Sequence, residues 1–285
     1  MPTQLAELLD FDETGRTADG VDYRGVIDPV FTIGPKVHGG SLQMMVASAA
    51  RQALNAVAGP DDDLTGVTAL AVSSDYLAAP DPSQVDVKVR VTKRGRTVNL
   101  VHVDVVQNDR LMVSSAVTLG RQDHGEPRYR HRTPLHELPA EPPTDALHID
   151  GTPLGEVMHL APALDLALDP GCFPLMRGET GDPVTRGWTR PKDAADQPST
   201  MGLDFPVLVC DLSPPVVMNL GLVGWAPTVQ LTTYVRRTPA PGWLRFQASS
   251  NEVGQSMFAE DHTVLDATGA VVAQSRQLAL IPAAP

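Results

Sequence analysis

Few residues in this chain have a spacing that points to chemistry, and those that do are scattered. Gly34-Pro35-Lys36-Val37-His38-Gly39-Gly40 leads into an apolar run that begins at Ser41. Two adjacent glycines at a helix start let another group come close to the backbone. The N–H groups there carry partial positive charge. His38 can cap such a helix or line a cleft beside it, and a plain helix-entry turn also accounts for the glycines. Gly254-Gln255-Ser256-Met257-Phe258 starts like a nucleophile elbow but lacks the closing glycine, so an α/β-hydrolase is disfavoured. No GxGxxG or Walker loop is present. The eight histidines show no HExxH or HxH spacing, so no metal site is expected. Cys172 and Cys210, with no CxxC, read as two buried free thiols. Lys88, Arg90, Lys93, Arg94 and Arg96 form one basic cluster. It suits a small anionic ligand, although a solvated hairpin turn has the same composition. The net charge of −12 argues against a nucleic-acid surface, which needs a broad basic footprint.

The elements that must position these residues occur in two copies. Val72-Ser73-Ser74-Asp75-Tyr76-Leu77 is followed by a proline turn and the alternating run Val85 to Val91. Gln230-Leu231-Thr232-Thr233-Tyr234-Val235 is followed by another proline turn and Trp243-Leu244-Arg245-Phe246. Further along, Ser115 falls opposite Ser275 at nearly the same offset. Two copies are too few for a solenoid, so a fused pseudo-dimer is expected, with clefts between the copies. Leu42, Met45, Val46, Ala49, Ala53 and Val57 mark the apolar face of a helix over Ser41–Val57 that is apolar nearly all round and therefore buried. Strands are expected at Val26–Ile33, Val67–Leu77, Val85–Lys93, Val98–Gln107 and Arg110–Gly120. In the second copy, Leu203 to Leu220 should hold a helix broken near Asp211 by Pro206, Pro214 and Pro215. Strands should then follow at 229–235, 243–249, 256–265 and 270–281. The class is α+β, divided into a module at 1–120, a proline-rich linker at 121–154 and a module at 155–285. No stretch approaches the roughly 20 apolar residues of a membrane span. The first residues contain Glu7 and Asp10 and do not read as a signal peptide, so a cytoplasmic location is expected.

Val37-His38-Gly39-Gly40 before a buried helix, Cys210-Asp211-Leu212-Ser213-Pro214-Pro215, Pro227-Thr228-Val229-Gln230-Leu231-Thr232 and Val271 to Gln277, in this order and on a degenerate repeat, resemble the acyl-CoA thioesterase II family. The resemblance covers about residues 20 to 120 and 155 to 282. It implies a double hot-dog fold, two antiparallel sheets each wrapped around a central helix, and hydrolysis of acyl-CoA to fatty acid and coenzyme A. The family's water-positioning Asp, Ser or Thr, and Gln fall on Asp211, Thr228 and Gln277. A buried carboxylate can act as the base toward water, two neutral groups can orient that water, and the Gly39 and Gly40 N–H groups can meet a developing oxyanion. His38, Gln230, Arg94 and Arg96 complete the expected substrate contacts. Gln230 departs from the acidic residue that many members carry there. The resemblance implies no cofactor beyond the coenzyme A of the substrate. Exposed sheet edges imply a homodimer or higher homo-oligomer. Two other functions fit a hot-dog chain. One is a non-catalytic acyl-CoA or lipid-binding protein. The other is an enoyl-CoA hydratase or dehydratase, for which His38 is the acid/base candidate.

Overall fold

The computed structural model describes residues 3–60, 62–192 and 199–283. Three helices occur among these: α1 (Gln4–Leu8), α2 (Gly39–Ala56) and α3 (Ser199–Val209). The strands of the first half are β1 (Asp12–Arg16), β2 (Gly20–Val26), β3 (Thr32–Ile33), β4 (Lys36–Val37), β5 (Val67–Tyr76), β6 (Gln84–Lys93), β7 (Val98–Gln107) and β8 (Arg110–Arg121). The second half adds β9 (Leu147–His148), β10 (Leu164–Leu168), β11 (Val184–Pro191), β12 (Thr228–Val235), β13 (Leu244–Ser249), β14 (Met257–Leu265) and β15 (Val271–Leu280).

Period-two alternation builds the strands. On β6, Val85, Val87, Val89 and Val91 are buried while Lys88 and Arg90 face outward. On β7, Val101, Val103 and Val105 are buried the same way. Asn108 and Asp109, both at positive φ (50° and 59°), close the β7–β8 hairpin, as a tight two-residue turn requires. The resulting antiparallel sheet has the order β1-β2-β6-β7-β8-β5-β12-β15-β14-β13-β11-β10-β9. The order on either side of the β5–β12 junction is the mirror of the other, which is the pseudo-dimer expected from the repeat. The two repeated motifs meet here: Leu231 pairs with Ser74 and Thr233 with Val72. Two separate sheets were expected. Hydrogen bonding between β5 and β12 instead joins the halves into one sheet of 13 strands.

α2 packs on β2, β5, β6, β7 and β8, and α3 packs on α2, β5, β12 and β15. Gln43 of α2 stitches the junction. It donates to Leu231 O (3.0 Å) and Ser74 Oγ (3.2 Å) and accepts from Thr233 Oγ1 (2.6 Å). A second tie between the helices is the Arg51–Asp204 ion pair at 2.6 Å, in which Asp204 is fully buried. Burial raises the Asp204 carboxyl above its usual range, and Arg51 opposes that shift.

Several elements differ from the sequence expectation. The strand expected at Val26–Ile33 lies earlier, at β2. Pro29 turns 29–31 into a short 3-10 helix whose start is capped by Asp28. β10 and β11 were not anticipated. The break expected near Asp211 is present, but the segment begins earlier, at Ser199, and its part beyond the break is a separate 3-10 turn over Val216–Leu220. Pro206 is tolerated inside α3, whereas Pro214-Pro215 lies beyond its end. The proline-rich segment 121–154 is packed against the second half: Leu135 is fully buried, Trp188 donates to Pro139 O (2.8 Å), and Arg245 donates to Leu138 O (2.8 Å).

Candidate active site

The start of α2 and the end of α3 meet, and this contact makes the site. His38 is the N-cap of α2. Its Nδ1 accepts from Ser41 N–H at 3.2 Å, and its Nε2 lies 2.8 Å from the backbone oxygen of Asp211. With Nδ1 accepting from Ser41 N–H, the proton on Nε2 points at the Asp211 oxygen. The same Nε2 is 3.7 Å from Asp211 Oδ2. The two glycines are required by this approach. A Cβ on Gly39 would lie 2.7 Å from Asp211 Oδ2, and one on Gly40 would lie 2.6 Å from Leu208 O and 2.9 Å from Asp211 Cβ.

Asp211 follows α3 by two residues, and its side chain is only 8% exposed. Burial pushes its carboxyl above the usual carboxylate range, while His38, the Gly40 N–H and the Gln277 amide pull it back. On the facing sheet, Gln277 of β15 donates to Thr228 Oγ1 at the start of β12. Asp211, Thr228, Gln277, His38 and Gly39 all line one cavity of about 710 Å³. Its remaining walls are mostly apolar and come from both halves, including Val37, Leu42, Phe173, Met176, Trp225 and Phe258. A largely apolar cavity with a few convergent polar groups is the usual form of a small-molecule site.

The other expected site residues lie apart from this cavity or at its edge. Gly40 is buried behind Gly39, against Asp211 and Leu208. The Gln230 side chain donates to Asp75 Oδ1 at 3.0 Å and is exposed. Arg94 and Arg96 sit in the β6–β7 turn, and Arg94 donates to Ala18 O at 2.8 Å. None of these four is among the lining residues. Cys210 is a free, fully buried thiol pushed up to about 12 by burial, and Cys172 is free and half-buried.

Three residues of the site escaped the sequence reading. Tyr76, noticed only as a repeat marker, lines the cavity and donates to Gly39 O at 2.8 Å. Burial and the nearby Asp211 charge hold its phenol well above the usual range. Ser213 and Glu260 also line the cavity, and their side chains are bonded at 3.1 Å. The signal available for Glu260 was a charged residue at an inward position of an otherwise alternating strand.

Comparison with known proteins now bears on what this cavity does. The profile described as "Acyl-CoA thioesterase N-terminal domain" matches residues 27–120, and that of "Acyl-CoA thioesterase C-terminal domain" matches 135–281. The chain belongs to the acyl-CoA thioesterase family. An uncharacterized protein of Mycobacterium tuberculosis is 38% identical to this thioesterase over 276 residues, 92% of this chain and 91% of that one. Among solved structures, a chain of Thermobifida fusca assigned as a thioesterase II superposes with a TM-score of 0.80 at 28% identity, covering 99% of this chain and 98% of that one. The acyl-CoA thioesterase II TesB2 of Mycobacterium marinum gives 0.69 at 16% identity, covering 98% and 97%. A hot-dog protein of Alicyclobacillus acidocaldarius gives 0.77 at 16% identity over the whole of both chains. The fold is therefore of the hot-dog type, and the enzyme is an acyl-CoA thioesterase.

Proposed function

We propose that this thioesterase hydrolyses fatty acyl-CoA with Asp211 as the base and Thr228 and Gln277 as the groups that orient the attacking water. The observation that carries the reading is the burial of Asp211 in an apolar cavity beside the bonded pair Thr228–Gln277. Burial raises the affinity of the Asp211 carboxylate for a proton, which a base acting near neutral pH needs. In the proposed step, water oxygen bonds to the thioester carbonyl carbon as its proton passes to Asp211. The tetrahedral intermediate then collapses with cleavage of the C–S bond, and the proton is returned to the departing coenzyme A sulfur. The apolar walls suit the acyl chain.

Both ring nitrogens of His38 are engaged, one by the α2 backbone and one by Asp211 O. That occupation favours hydrolysis over hydration, for which a free acid/base imidazole would be needed. The test is release of coenzyme A thiol from acyl-CoAs of graded length. Turnover that rises with chain length to an optimum supports the reading. Acyl-CoA binding without turnover at any length would favour a carrier.

A further inference from the structure

The cavity wall contains a second polar cluster that the hydrolytic reading does not use. Glu260 and His262 of β14 are both buried, and Ser213 lies over them. Ser213 Oγ is 3.1 Å from Glu260 Oε1 and 3.0 Å from His262 Nε2. The second oxygen of Glu260 accepts from Val216 N–H at 3.2 Å. Glu260 is therefore bonded at two points to the turn that follows Asp211. It is also the direct cross-strand partner of Gln277 in the β14–β15 register, so the two share one face of the sheet.

The charges around Glu260 decide its state. From the turn, Asp211 and Ser213 face it; from β15, the neutral Gln277; from its own strand, His262. The adjacent charges Asp261 and Arg276 point to the other face and lie 3.4 Å from each other. Among the described residues, no lysine or arginine lines the cavity. A buried carboxylate without a cation, on the same wall as a second carboxylate, is strongly disfavoured. The Ser213 hydroxyl donates to Glu260 Oε1 when the carboxyl is charged; with the acid neutral that bond reverses, Glu260 Oε1–H donating to Ser213 Oγ and Ser213 Oγ–H to His262 Nε2.

We propose that Glu260 is a positioning residue of the hydrolytic site: as a neutral acid it holds Ser213 and the Val216 N–H, and so fixes the turn that aims Asp211. The proposal rests on the hydrolytic reading of Asp211. Burial and the Asp211 charge push the Glu260 carboxyl up to about 8, while burial lowers His262 to about 3. Glu260 thus keeps its proton at neutral pH and loses it in mild alkali. There the second charge and the altered bonding to Ser213 disturb Asp211.

The experiment compares Glu260→Gln, an isosteric mimic of the neutral acid, with Glu260→Ala, measuring kcat against pH from 6 to 9. Native turnover is expected to fall as pH rises through about 8. Glu260→Gln should keep near-native turnover at pH 7 and lose that alkaline limb. Glu260→Ala should lose about 10²-fold in kcat through misplacement of Asp211, with KM little changed. An alkaline limb that survives in Glu260→Gln, or equal losses in both variants at pH 7, would overturn the proposal.

Urea stability supplies a readout independent of turnover. A carboxyl with a raised folded pKa gives stability that is full below its unfolded pKa and is lost as pH rises through the folded value. The lowered His262 acts in the opposite sense, but only below about pH 6.5. Native protein should therefore lose stability between about pH 6.5 and 8, and Glu260→Gln should not. Equal slopes would sink the assignment of the proton to Glu260. A flat Glu260→Gln slope in a protein that released no thiol would instead fault the hydrolytic reading alone.

Discussion

The same sheet face is built twice in this molecule, once in valine and once in polar residues. In the first half, Val101 of β7 pairs with Val117 of β8, and Val103 pairs with Ser115. In the second half, Glu260 of β14 pairs with Gln277 of β15, and His262 pairs with Ser275. With Ser115 and Ser275 as the common reference, Glu260, His262 and Gln277 stand where the first half has Val101, Val103 and Val117. The helices explain the difference. α2 runs unbroken for 18 residues and packs on β7 and β8. α3 is 11 residues long and gives way to the Cys210–Pro215 turn, which lays Asp211 and Ser213 over the equivalent face. Where the helix is long, the sheet is core. Where it stops short, a cavity opens, and polar residues on the sheet have partners and a use. One half is thus a scaffold that also lends His38, Gly39 and Tyr76 to the cavity, and the other lines it with Asp211, Thr228, Glu260 and Gln277.

That contrast can be broken from either side. The largest effect is expected from Val101→Glu, which places a carboxyl on the valine face without the Ser213, Val216 and His262 partners of Glu260. Loss of about 3–5 kcal/mol in urea unfolding is predicted; a well-tolerated glutamate would mean that the two faces are not so different. The reverse exchange, Gln277→Val, should leave folding intact and, on the proposed role of Gln277 in orienting water, reduce thiol release by about 10²-fold. Native turnover in this variant would remove Gln277 from the site. The mildest change is Val117→Gln, an uncharged amide on the packed face. It should cost about 1–3 kcal/mol of stability, with turnover per folded molecule unchanged.

Much of this was legible in the chain. The period of two located β5 to β8 and β12 to β15 to within a residue or two, because each has one buried face. The repeat of Tyr76 and Tyr234 marked the strands that join the halves. The adjacent glycines at the start of α2 stood out by local pattern, but Asp211 was singled out only through family resemblance, since it meets Gly39 only when the ends of two helices distant in sequence are brought together. Glu260 and Ser213 were missed for the same reason: their bond spans 47 positions along the chain. β10 and β11 were obscured because the surrounding turns and 3-10 segments break the hydrophobic period. The union of two sheets into one was hidden, since the edge pairing of β5 with β12 leaves no mark in either strand alone.

The most direct test of the account is the rate of coenzyme A thiol release by native protein and by Asp211→Asn, measured side by side with acyl-CoA affinity. Removing the base while keeping its shape should lower kcat by about 10²-fold or more and leave affinity nearly unchanged. An Asp211→Asn protein that turns over at the native rate would contradict the assignment of Asp211 as the base.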